Sequence, residues 1–523
     1  MRLTALTLLI ALPAVALAQD APDGSATPAA PDAPPVARRA LALRLADVGR
    51  LALERSPRFR ARLLDPEIAR TREMESLGEF DPLFGARVTG GVERTEVFFS
   101  PTAFGAAAGD PFLTEDRVGG AASLAAVQEW GGVFTLGYDA SSRDRRGAAS
   151  ISTLSPRFDG ALSMGYTHPL LRGAGRDVRL SHYREAMRAT LQSEEALSRE
   201  AELTVLEAET TYWDLVNARA DLDVIRASIR LAEELLAVAR ARVEAGRGIP
   251  VDVSEAAAGL ARRQGERIEI ETRVRNLSDR LRELVLPFES EDADLDTVIE
   301  PVDAPLVELP EPPPSPDRAA LEEAAVRRGD VRAAVAGVEA AEQAVLRARN
   351  EEEIELNAVV GGALRGHGSG FSATSRHQAD RETYLWEAGL EVSVPLGNVA
   401  AEARLLRAQH ELRRAERELA AARNTLMREV REAVRNVLAA MERIEAARRE
   451  RDATTEQLEA ERSRLEKGRS TPFQVLEVEE DHSRAVAGEI GARVELEKAR
   501  VALSAARGRL LEERAIVPPV ETE

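Results

Sequence analysis

The chain has 523 residues, 30% of them charged, with a formal net charge of −19 and no cysteine. That balance excludes a basic nucleic-acid face, and the lack of cysteine excludes a disulfide scaffold, thiolate metal sites and a lipid anchor on an N-terminal cysteine. Basic charge is almost all arginine. Lys467 and Lys498 are the only lysines and neither precedes Ser or Thr, so the phosphate-cradling loop of nucleotide-driven motors is absent.

Residues 1–18 read as a secretory signal peptide. Arg2 precedes an apolar run from Leu3 to Leu12, and Ala16-Leu17-Ala18 ends in a small-residue cleavage site; a buried N-terminal helix is the other reading. No later segment is apolar for 18 residues, so membrane entry has to be by strands. Residues 19–44, rich in Pro, Ala and Asp, form a flexible or extended leader. A first unit then spans 45–286. It opens with a helical stretch from about Leu45 to Ser76, in which Pro57 and Pro66 are expected to break or kink the helix.

Strands are expected within 80–169, where glycine, aromatics and two-residue alternation replace the charged pattern. Leu162, Met164, Tyr166 and His168 alternate with Ala161, Ser163, Gly165 and Thr167, and Phe134, Leu136 and Tyr138 with Thr135, Gly137 and Asp139. Val118–Gln128 and Val133–Ser142, around Trp130-Gly131-Gly132, look like a further hairpin. The strand count per chain is therefore four or six. A helical hairpin occupies 176–286, with a first arm from about Asp177 to Ala245 that would span on the order of 100 Å.

Residues 287–316 are an acidic, proline-rich connector. The second unit, 317–515, repeats the order: a helix over Leu321–Asn350, strands within 354–395, and a helical hairpin over 398–514, followed by a tail at 516–523. Gly246-Arg247 and Pro250 recur 222 positions later as Gly468-Arg469 and Pro472. A glycine just past one helix and a proline opening the next is stop–restart chemistry, so each pair marks a hairpin tip. Leu405, Leu412, Leu419 and Leu426 recur every seven residues, implying supercoiled packing. The remaining Arg and Glu of these helices read as a solvated face, and hairpins with so little core call for association between subunits.

In the second strand region Tyr384, Trp386, Ala388, Leu390, Val392 and Val394 fall on one face, and Glu387, Gly389, Glu391 and Ser393 on the other. That suits a barrel strand with Tyr384, Trp386, Leu390 and Val392 facing lipid; a soluble sheet with one buried face gives the same alternation. Too few strands exist to close a barrel from one chain, which points to an oligomer. Six scattered histidines form no i,i+4 pair, and Gly366-His367-Gly368 reads as a turn between strands. No catalytic residues, metal ligands or cofactor are expected.

These features together resemble the outer-membrane efflux protein family, the TolC-like channel-tunnels. The resemblance rests on the duplicated unit, His168-Pro169-Leu170-Leu171-Arg172-Gly173 and Val394-Pro395-Leu396-Gly397 at strand-to-helix junctions, and the two Gly-Arg-x-x-Pro tips. It implies a mixed α + β membrane protein: a trimeric outer-membrane β-barrel continued by a long periplasmic α-helical barrel, built from two tandem repeats per chain. Its implied role is the passive exit duct of a tripartite efflux pump or type I secretion system, in the outer membrane with a periplasmic extension. Implied partners are two further copies, a periplasmic adaptor (membrane fusion) protein, an inner-membrane pump or exporter, and outer-membrane lipid, with no nucleic acid.

By the same resemblance, adaptor contact falls on Gly246, Arg247, Pro250, Gly468, Arg469 and Pro472, which otherwise read as ordinary helix turns. The acidic aperture falls on Gln474 and Glu477, with Asp252 and Glu255 in the first copy; as plain first-turn residues they would only complement the helix dipole. Leu465 and Ser470 stand where the family has the tyrosine and arginine that hold the resting state, so the lock is expected to differ. A soluble periplasmic coiled-coil adaptor or scaffold without a pore is the alternative.

Overall fold

Proline and glycine placement cuts the chain into very long helices and one block of strands. The computed structural model describes residues 40–96, 112–146, 156–246, 248–286 and 298–517. The signal peptide, most of the leader, Arg247 and the start of the connector lie outside the described residues. A short strand β1 (Ala40–Leu43) leads into α1 (Leu45–Arg55) and α2 (Pro57–Leu77). Pro57 opens α2 where its missing N–H costs nothing, whereas Pro66 sits inside α2 without ending it.

Four strands follow: β2 (Leu83–Glu96), β3 (Phe112–Val127), β4 (Val133–Arg146) and β5 (Arg157–Pro169). A single turn α3 (Arg176–Arg179) precedes α4 (Ser181–Glu244), whose 64 residues rise about 96 Å. The return arm is α5 (Pro250–Val285). After β6 (Val298–Pro301) come α6 (Arg318–Arg327), α7 (Gly329–Glu352), β7 (Glu355–Gly368), α8 (Phe371–Ala379) and β8 (Tyr384–Ser393). The chain then repeats the long shaft in α9 (Val399–Glu466) and α10 (Pro472–Ala506), followed by the short α11 (Leu510–Glu513).

One antiparallel sheet collects the strands of both units in the order β2-β3-β4-β5-β7-β8. Pairing is continuous from Leu83↔Ala125 to Leu364↔Tyr384. The additional hairpin is therefore part of the sheet, which has six strands among the described residues. Inner connections are tight: β3 turns into β4 at Gln128–Gly132, where Gly131 has φ 99°.

The helices share cores with one another. Near the tips Leu235, Leu236 and Ala239 of α4 pack with Ala256 of α5, Leu458 and Leu465 of α9, and Val475 and Leu476 of α10. Higher up, Leu426, Val430, Val434 and Val437 of α9 pack with Val331 of α7 and Leu496 of α10. No described helix is long and apolar enough to cross a membrane.

Several expectations need correction. The end of the leader is not loose: β1 pairs in parallel with β6 of the connector, from Ala40↔Val298 to Leu43↔Pro301. The buried Tyr212 fixes this ribbon, its hydroxyl reaching Asp303 at 2.6 Å and the Leu43 carbonyl at 3.1 Å. The start of the tail also packs, Ile516 lying against the cluster of Phe59, Leu63 and Val205. Gly366-His367-Gly368 is the end of β7, not a turn, and the connection beyond it holds α8. Finally, not every charge on the long helices is solvated, since Arg263 and Glu479 are buried where α4, α5 and α10 meet.

Candidate functional site

Two regions carry the features expected to act: the sheet and the two tips. Alternation turns the strand register into two chemically distinct faces. Row by row, Phe84, Leu124, Leu136, Met164, Gly362 and Trp386 line up on one face, as do Ala86, Ala122, Tyr138, Leu162, Leu364 and Tyr384. Leu390 and Val392 continue that face beside Ala358 and Leu356. It carries no Asp, Glu, Lys or Arg from the Leu356–Val392 row up to Phe158, with His168 beside Ala358, and charge returns at Asp116, Asp144, Arg94, Arg146 and Glu96.

Twelve residue steps separate those limits along the register. At about 3.3 Å per step and a tilt of about 40° they rise roughly 30 Å. Apart from α8, which lies over Gly160, Gly366 and Gly368, this apolar face is uncovered among the described residues. Trp386 is 75% exposed, Tyr384 68%, Leu390 69% and Val392 61%. The two edge strands, β2 and β8, have no partner on their outer sides among the described residues. All four residues expected to face lipid thus share one open apolar surface.

The opposite face is polar. It carries Arg87, Asp139, Arg143, Arg157, Asp159 and Arg365 around a cleft of about 650 Å³. Arg143 and Arg157 both hold Asp159, at 3.1 and 2.8 Å.

The tips close as their glycines require. Gly246 and Gly468 sit at φ 68° and 72°, a left-handed conformation that a side chain would strain. At the second tip the Arg469 N–H donates to the Arg464 carbonyl at 2.8 Å and the Gly468 N–H to that of Leu465 at 3.0 Å, a Schellman closure. Pro250 and Pro472 open α5 and α10. Thr471 caps α10: its Oγ1 accepts from the Gln474 N–H at 3.3 Å, and the Gln474 side chain accepts from the Thr471 N–H at 3.2 Å. Asp252 makes the matching reach to the Ile249 N–H at 3.3 Å.

Asp252 and Gln474 therefore serve as third-position helix caps, while Glu255 and Glu477, one turn on, are exposed. Residues that sequence reasoning missed join the hairpins. The Arg242 guanidinium of α4 donates to the carbonyls of Leu465 (2.8 Å) and Ser470 (3.4 Å), tying the first hairpin to the second tip. Ser470 Oγ donates to Glu461 and holds its carboxyl below the usual carboxylate range, aided by Arg464.

Further up, Arg263 of α5 donates to Glu479 (2.9 Å), to the Leu476 carbonyl (2.9 Å) and to Ser228 of α4 (2.8 Å). Ser228 in turn donates to Glu479 at 2.8 Å. Nothing in the local pattern sets Arg263 apart from its solvated neighbour Arg262. Only the crossing of three helices removes it from water.

Residues 320–509 match the family model described as outer membrane efflux protein. No curated protein sequence matches the chain. Among solved structures, a membrane protein from Pseudomonas aeruginosa is similar at a TM-score of 0.64 and 19% identity, over 89% of this chain and 90% of that one. The CmeC outer membrane channel of Campylobacter jejuni is similar at a TM-score of 0.63 and 14% identity, over 89% and 86%. The open state of the MtrE outer membrane channel of Neisseria gonorrhoeae gives 0.56 and 16%, over 89% of each chain. Residues 320–509 thus carry an outer membrane efflux protein domain, and the chain as a whole has the fold of the TolC-like outer-membrane channels.

Proposed function

We propose that the chain is one subunit of a trimeric outer-membrane channel-tunnel, the passive exit duct of a tripartite efflux pump or type I secretion system. The observation that carries this reading is the six-stranded sheet with a bare apolar face and two open edges. An uncovered apolar face of this height is costly in water and suits a bilayer, and open strand edges are satisfied by edge strands of like copies. Three copies of six strands make a wall of eighteen, a strand number at which porins enclose a water-filled channel.

The helical shaft then extends from the barrel into the periplasm. Its tips, at Gly246, Arg247 and Pro250 and at Gly468, Arg469 and Pro472, meet the hairpins of a periplasmic adaptor, and an inner-membrane pump or exporter supplies the energy. Glu255 and Glu477 ring the aperture from three subunits, with Asp252 and Gln474 fixing the helix starts beside them. Arg242 takes the role of the resting lock, in place of the family residues that Leu465 and Ser470 replace. A soluble coiled-coil scaffold has no use for the bare face and is not favoured.

Fractionation followed by mass measurement tests this. Recovery in the outer membrane and extraction only by detergent, as a particle of three chains, is the expected result. A dispersed monomer in detergent-free buffer would contradict it.

A further inference from the structure

The polar face of the sheet is banded by charge along the strands. From the row Arg87–Ala121–Asp139–Ala161–Arg365 outward it carries Arg87, Arg117, Arg143, Arg145, Arg157 and Arg365, against the carboxylates of Glu93, Glu115, Asp139 and Asp159. Inward of that row it carries no arginine. The next row holds Gly85, Ser123, Gly137, Ser163 and Ala363, the one after it Thr135, Gly165, Gly361 and Glu387, and then come Glu391 and Glu355. The face is therefore acidic from Glu387 to the helical end and basic toward the loops, with one uncharged row between.

Most outer arginines are already matched. Arg117 holds Glu93 and Glu115, Arg145 holds Glu115, and Arg143 and Arg157 share Asp159. Arg87 and Arg365 differ. Both are exposed, both line the same cleft of about 650 Å³, and neither has an ion pair among the described residues. Their cross-strand row contains one carboxylate, Asp139, two strands away from each at about 9.6 Å. The cleft lining as a whole counts four arginines against two aspartates. Two guanidiniums with free donors, backed by surplus positive charge on a concave wall, present the planar donor forks that match phosphate and carboxylate oxygens.

We propose that Arg87 and Arg365 form an anion-holding band near the loop end of the bore, where solutes bearing phosphate or carboxylate groups are retained. The inference rests on the channel reading, since the polar face has to line a water-filled bore. In the trimer the band becomes a ring, and rings of charged side chains set which ions a pore admits. It sits at the opposite end of the molecule from the tip carboxylates, so the two act on a solute in succession.

The test uses full-length trimers in planar bilayers, with inorganic tripolyphosphate added to either side. Block is expected from the loop side, weakening as salt is raised. The paired change Arg87→Gln with Arg365→Gln should raise the half-blocking concentration by about tenfold or more, while Arg87→Lys with Arg365→Lys, which keeps the charge, should hold most of the block. Glu387→Gln with Glu391→Gln should leave it in place. A half-blocking concentration unchanged by the glutamine pair, or raised equally by the lysine pair, would overturn the inference while the channel reading stands. No current from any assembled trimer, including one unlocked by Arg242→Ala, would overturn the channel reading and this inference with it.

Discussion

Valines in the helical shaft and valines in the sheet meet opposite surroundings. Val205 and Val475 are fully buried, whereas Val88 is 85% exposed and Val92 72%. The shaft closes its cores with side chains from α4, α5, α7, α9 and α10 of the same chain, and buries paired charges where they cross. The sheet offers one continuous apolar face and covers it almost nowhere; among the described residues only α8 lies on it, over Gly160, Gly366 and Gly368. On the proposed channel reading, free energy that the shaft finds within its own chain comes to the sheet from lipid and from neighbouring copies. Substitutions in the two regions should therefore fail under different conditions.

The largest effect is expected in the shaft. Arg263→Ala leaves the Glu479 carboxylate buried without its partner and should cost about 3–5 kcal/mol, lowering the unfolding midpoint in detergent and in membranes alike. Replacing Arg263 and Glu479 together by Met and Leu should recover most of the loss. If the single change is neutral, the crossing is wetter than its geometry implies.

In the sheet, Met164→Arg places a charge at mid-height of the apolar face. It should cost about 2–4 kcal/mol in a bilayer, with little effect on the shaft. Thr135→Arg, in the neighbouring row of the polar face, should be close to neutral. Equal costs for the two would remove the distinction between the faces. Folding yield into vesicles, read by heat-modifiable gel mobility, separates them.

Smaller effects belong to the tips. Gly468→Ala forces a side chain into φ 72° and should cost about 1–2 kcal/mol, read as faster hydrogen exchange confined to the last turn of α9. Gly488→Ala, in the right-handed interior of α10 with open space around it, should be neutral or slightly stabilising.

The smallest expected effect is one of pH. Burial pushes the Glu209 carboxyl up even though Arg514 pairs with it at 2.7 Å. The folded chain therefore binds this proton more readily than the unfolded one. Its contribution is most favourable below the ordinary carboxylate range and declines as pH rises through the raised value. Glu209→Gln should flatten the stability profile in that window, and denaturant midpoints across acidic to neutral pH measure it.

Legibility in the sequence follows the same division. The tips were readable because Gly246, Gly468, Pro250 and Pro472 act locally, and their backbone angles follow from residue type alone. The faces of β5 and β8 were readable because alternation is a two-residue pattern. What could not be read is long-range. The parallel pairing of Ala40–Leu43 with Val298–Pro301 joins segments more than 250 positions apart with no matching motif. Arg242 and Arg263 look like any other arginine on a charged helix until another helix crosses them. Gln474 and Asp252, proposed at the aperture, also cap their helices, a hydrogen-bonded role that the local pattern does not single out.

The most direct test of the account is disulfide cross-linking between the open edges, in a chain that has no cysteine of its own. Single cysteines walked along the apolar face of β2, through Ala86 and Val88, are combined with single cysteines along β8, through Ala388 and Leu390, and oxidised in isolated outer membranes. The account predicts a ladder of one, two and three chains that stops at three, from pairs at one consistent register. Monomer at every pair, or a ladder running past three, would contradict it.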